Sequence, residues 1–161
     1  MDEEDDDLDN QDELNEKIEL SVNRFEEMIR KQDRYFFDVD ALIRIIDFYI
    51  DKGEYQKALE VARYAFSLHP NSVNFLMKQA HLFAITGQDQ KALETLDRVE
   101  RISPYDLDLH LIRGNIYNTI GQYSSALECF KKALPLVDMK DEIYFSMAIT
   151  YQNMLNYPKA I

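Results

Sequence analysis

Three histidines, one cysteine and thirty acidic residues are the side chains of this 161-residue sequence best suited to chemistry. A protein metal centre needs several ligands converging on one point, and helical sequences signal this with His-x-x-x-His, paired Cys or Glu-x-x-His. His81 and His110 lack such companions, so packing or surface roles are expected for both, and no metal. Cys129 has no histidine near it in sequence and stands in a helical block, where a small apolar filler is the ordinary role. Asp5, Asp7, Asp9 and Glu16 match the first, third, fifth and twelfth places of a calcium loop, whose oxygen ligands must converge. Asn10, however, occupies the place where that loop needs glycine for its sharp turn, so a solvated tail is expected instead. Neither a glycine-rich phosphate loop nor a Gly-x-Ser-x-Gly elbow is present. The expectation is a chain that is not an enzyme and takes no cofactor.

The charge narrows the partners. The net charge is −12, yet nine of the thirty acids fall within residues 1–13, which contain no base. The remainder carries 21 acids against 18 bases, so the body is nearly neutral and offers no basic stripe for nucleic acid. Residues 1–11 hold one large apolar residue besides Met1, namely Leu8, and are expected to form a disordered acidic tail. A lone cysteine fits a reducing compartment. No apolar run approaches the roughly 18 residues of a membrane span, and the acidic start is unlike a signal peptide. These features predict a cytoplasmic protein that does not engage membranes.

The elements that would position any site come next. Hydrophobic residues at 46% can fill a core, and only four Gly and four Pro argue against a turn-rich β design. From about Asp12 to Asp33, Leu14, Ile18, Val22, Phe25, Met28 and Ile29 recur at steps of three and four, which predicts an amphipathic helix. Residues 12–38 are read as that capping helix and a connector, with Tyr35, Phe36 and Phe37 packed between cap and array. Beyond it one pattern repeats every 34 positions: Gly53, Gly87 and Gly121; Ala58, Ala92, Ala126 and Ala160; Pro70 and Pro104. A fixed period of this size signals a stacked array. The repeats run 39–72, 73–106, 107–140 and 141–161, the last incomplete. Their first helices are expected near 40–52, 74–86 and 108–120, and their second near 55–68, 89–102 and 123–136. Each glycine stands just past a first helix, where a left-handed residue ends it; Asn156 would serve that turn in the fourth repeat.

These residues resemble the tetratricopeptide repeat. The first repeat shows Leu42, Ile45-Ile46, Tyr49, Ala58, Ala62, Ala65 and Pro70; the second Leu76, Gln79-Ala80, Phe83, Ala92, Leu96, Val99 and Pro104. The third shows Gly114, Tyr117, Ala126, Phe130 and Ala133, with His110 in the bulky place and Arg113 in the Leu place. Tyr144, Met147-Ala148, Tyr151 and Ala160 open a fourth. The resemblance implies an all-α, right-handed superhelix of about three and a half helix pairs, a solenoid behind an N-terminal capping helix. It also implies a protein-interaction scaffold binding on the concave side, lined by the first helices. Carried over place by place, the inward set is Asp40, Ile43, Asp47 and Ile50; Met77, His81 and Ile85; Asp108, Leu111, Asn115 and Asn118; and Phe145 and Ile149. Apolar residues beside aspartates suit a protein or peptide with apolar anchors and some basic charge. Ile43, Asp47, Lys78, Asp108 and Ile112 stand where one subset of the family grips acidic chain ends, and their acids predict no carboxylate clamp. The chain stops at Ala160-Ile161, which would leave Tyr144, Met147, Ala148 and Tyr151 uncovered. The alternative reading is therefore a structural segment, a homodimer through the C-terminal end, or a regulatory module of a longer protein.

Overall fold

The computed structural model describes residues 2–156, with side chains from residue 13 onward, and every regular element among them is helical. The chain divides into two compact units between Leu68 and His69.

The first unit holds α1 (Asp2–Lys31), α2 (Val39–Asp51) and α3 (Tyr55–Leu68). The backbone of α1 is helical from Asp2, not from about residue 12 as the apolar spacing suggested. Acids near a helix N-terminus complement the positive end of its dipole, and Glu13 adds an i,i+4 ion pair with Lys17 at 2.8 Å. The buried stripe of α1 is Val22, Phe25 and Met28. Phe25 meets Phe37 edge-on at 5.8 Å and Tyr64 of α3 at 5.6 Å. Tyr49 of α2 donates its hydroxyl hydrogen bond to Glu26 at 2.8 Å, and Lys57 of α3 reaches the same carboxylate. α1 therefore packs on both helices of the first repeat. Of the aromatic trio only Phe37 is buried, and Phe36 is exposed. Successive side chains on an extended connector leave it in opposite directions, so the three cannot all face inward.

The second unit holds α4 (Val73–Ile85), α5 (Asp89–Ile102), α6 (Leu107–Thr119), α7 (Tyr123–Ala133) and α8 (Asp141–Asn156). Each hairpin closes through the same turn. Gly53, Gly87 and Gly121 have φ of 70°, 71° and 79°. Their amides, and those of the following residues, donate to carbonyls of the last helical turn: Glu54 to Tyr49, Gln88 to Phe83 and Gln122 to Tyr117, each at 2.8 Å. The residue after the glycine then starts the second helix, its carbonyl accepting from Ala58, Ala92 or Ala126. This two-residue link holds the pair antiparallel. The first helices begin on side-chain caps in two repeats: Asp38 accepts from the Ala41 amide and Asp106 from the Leu109 amide.

Two endings differ from the expected ones. α7 stops at Ala133 and a single 3-10 turn, Leu134–Leu136, follows. Pro135 has no amide to donate and its ring would clash with the carbonyl four residues back. α8 runs through Leu155 and Asn156, so Asn156 does not turn the chain at the glycine place. Leucine there resists the left-handed conformation that glycine adopts freely. Tyr157, Ala160 and Ile161 lie outside the described residues.

Helix packing inside the third repeat is close. A Cβ added to Gly114 would lie 2.6 Å from the Phe130 ring. Phe130, Ala126, Ala133 and Ile143 form a buried core, with Leu107, Leu111, Tyr117 and Met147 packed against it.

Candidate functional site

The repeat period sets every first helix in the same register, so equivalent places recur along one side of each. In the second unit α4 and α6 lie side by side. Between them runs an open groove of about 260 Å³. Three of the expected residues, His81, Ile85 and Asn115, line it. Ala84, Asp89, Ile112, Ile116 and Thr119 complete the lining. Its floor is aliphatic and its rim polar, a lining suited to one or two side chains of an extended peptide.

The other expected residues are distributed around this groove and in the first unit. Met77 is half-buried and Asp108 exposed. Asn118 accepts a hydrogen bond from Asn153 of α8 at 3.4 Å. Leu111 packs on the Phe130 core, so its side chain serves the fold. Phe145 and Ile149 are exposed on α8. In the first unit Asp40 is exposed, while Ile43, Asp47 and Ile50 are half-buried. Asp47 lines a second groove, between α1 and α2, with Ile18, Glu19, Arg44, Phe48 and Asp51. The sequence pattern marked Ile112 only as a clamp place and left out Ile116, because both fall between the expected inward places. Their signal was an apolar pair four apart flanking Asn115, which a helix brings onto one face.

The histidine and cysteine of the third repeat belong to a buried polar cluster. Arg113 of α6 donates to Glu100 at 2.7 Å and to Asp97 at 2.9 Å, both on α5. The guanidinium holds the Glu100 carboxyl below its usual range. His110 Nε2 lies 3.0 Å from the Pro104 carbonyl, and its buried Nδ1 has no hydrogen-bond partner. That pattern assigns a neutral ring protonated on Nε2. Burial pushes its pKa down, and the nearby Lys132 and Arg113 add to that, against Glu100 and the Pro104 hydrogen bond. Burial also pushes the Cys129 thiol up, which keeps it protonated and a poor nucleophile. Among the described residues no three His, Cys, Asp or Glu side chains converge as metal ligands. The side chains of Asp5, Asp7 and Asp9 lie outside the described ones. No helix among the described residues is long and apolar enough to cross a membrane.

Antiparallel helix pairs at a 34-residue period, each closed by the same glycine turn, define a helical-repeat protein. Residues 107–135 match the tetratricopeptide repeat. A thermophilic tetratricopeptide-repeat protein in Thermus thermophilus superimposes with a TM-score of 0.69 at 24% identity, covering 95% of this chain and 82% of that one. A MamA protein gives 0.73 at 16% identity, covering 96% and 82%. The Sgt2 tetratricopeptide domain from Aspergillus fumigatus gives 0.66 at 20% identity, covering 74% and 81%. No curated protein sequence matches the chain. Residues 107–135 thus carry a tetratricopeptide repeat, and the chain shares the all-α fold of these tetratricopeptide-repeat structures.

Proposed function

We propose that the chain is a non-catalytic interaction module that binds a peptide segment of a partner protein along its first helices. The observation that carries this reading is the α4/α6 groove, where the repeat register brings His81, Ile85 and Asn115 around an aliphatic floor. An apolar anchor of the partner would fill the space beside Ile85 and Ile112, and backbone or polar groups would meet Asn115 and His81. Asp89 on the rim favours a partner carrying some basic charge. Selection of displayed random peptides against the full chain, followed by anisotropy titration of a selected peptide, tests this. Ile85→Glu and Asn115→Arg should each weaken binding by about tenfold, the loss of one well-packed anchor. Unchanged affinity in both variants, with helical content intact, would reject the groove.

A second reading rests on α8. Leu42 and Tyr49 in the first repeat are 0% and 2% exposed, whereas Tyr144 and Tyr151 at the equivalent places are 54% and 47% exposed. With Phe145 and Leu155 also exposed, this face suits self-association, as exposed apolar patches mark contact surfaces. Sedimentation of the full chain against Tyr144→Glu decides it: a dimer that dissociates in the variant supports an assembling role, and a monomer in both removes it.

A further inference from the structure

The two grooves occupy the same places of the repeat. Arg44, Asp47, Phe48 and Asp51 line the α1/α2 groove, and Ile112, Asn115, Ile116 and Thr119 line the α4/α6 groove. Each of the first four lies 68 positions, two repeat lengths, before its counterpart. α1 thus stands beside α2 as α4 stands beside α6, although α1 carries none of the repeat signature. It converts the outer side of the first repeat into a groove of about 290 Å³. The chemistry differs. The α6 wall is uncharged, whereas Glu19, Asp47 and Asp51 edge the α1/α2 groove together with Arg44. Its apolar floor is Ile18 and Phe48. The ring of Phe48 already attracts a cation from its own chain: Lys52 Nζ lies 4.2 Å from the ring centroid.

We infer that the α1/α2 groove takes a lysine or arginine side chain from an extended basic segment of a partner protein. The aliphatic stem of such a side chain lies along Ile18 and Phe48, as long cationic side chains do on apolar surface. Its charged end is attracted both by the aromatic face and by the three carboxylates. Lys52 is exposed on a flexible stem, so it acts as an internal competitor that the incoming cation displaces. The inference concerns a different helix pair from the α4/α6 groove and stands or falls separately.

The test titrates the full chain into a dye-labelled hexapeptide of alternating lysine and alanine, blocked at both ends, and into its glutamate counterpart. Binding is read by anisotropy, and circular dichroism checks that each variant keeps its helices. Because the whole chain is acidic, charge at the groove must be separated from charge elsewhere. Glu19→Lys with Asp51→Lys should weaken the lysine peptide by about tenfold. Glu94→Lys with Glu128→Lys makes the same change in net charge on exposed places of α5 and α7, and should weaken it by less than about threefold. Lys52→Ala should tighten binding by about two- to fivefold, the worth of an exposed cation–π contact. Equal losses in the two double variants would overturn the inference, as would weaker binding in Lys52→Ala. So would a glutamate peptide that binds as well, or a lysine peptide with Kd above about 1 mM.

Discussion

Gly114 shows how a single place decides the packing of a repeat. Its absent side chain makes room for the Phe130 ring, which would stand 2.6 Å from an added Cβ and is itself 1% exposed. At the equivalent places the other repeats hold Ile46 with Ala62 and Ala80 with Leu96. Volume moves from the first helix to the second while the pair continues to fill the space. Gly114→Ala gains up to about 1 kcal/mol of helix propensity. It loses about 1–3 kcal/mol by forcing a close-packed ring to shift. Net destabilisation is the expected result, seen as a lower urea midpoint. Adding Phe130→Leu should recover part of the loss, because the smaller side chain gives the methyl group room. Additive losses in this double-mutant cycle would show that the two places are not coupled.

At the scale of the element, Gly87 is constrained for a different reason. A Cβ there would meet nothing within 4 Å, yet φ is 71°. Gly87→Ala should therefore destabilise by about 1 kcal/mol through backbone strain alone. Gly87→Asn should recover part of that, since asparagine tolerates the left-handed region. Asparagine at Gly114 would recover nothing, because the obstacle there is a ring. Thermal unfolding of the four variants separates the two causes. This regularity is why the hairpins were legible in the sequence: glycine, small residue and aromatic recur at one spacing, and α2 to α6 begin and end within a residue of the expected bounds. The rest was less legible because it depends on what lies across a contact. Nothing local told that α1 would build a groove on α2, or that Leu111 would pack on Phe130. Apolar spacing also started α1 too late, since it tracks burial and omits the favourable placement of acids at a helix N-terminus.

For the molecule as a whole, acid titration brings these local features into one measurement. Relief of repulsion within a chain of net charge −12 should favour folding as pH falls. The buried groups act the other way. His110 has its pKa lowered from 6.5 by burial, so below that value the unfolded chain takes up a proton that the folded one resists. Its contribution is fully present above 6.5 and is lost as pH falls toward the lower folded value, with a slope of at most about 1.4 kcal/mol per pH unit. Glu26 and Glu100 are lowered from 4.5 by Tyr49 and Arg113 respectively. Their contributions are lost in turn as pH falls below that value, and both are modest because the groups are partly solvated. Between about pH 7.5 and 5.5 most carboxylates stay charged, so the histidine term should dominate the change. The urea midpoint of the full chain is therefore expected to fall across this range. His110→Leu restores the residue type found at Leu42 and Leu76 and should flatten the profile while leaving the decline below 4.5. A wild-type midpoint that is level from pH 7.5 to 5.5, or a decline unchanged in His110→Leu, would show that the neutral imidazole beside Pro104 does not govern stability in mild acid.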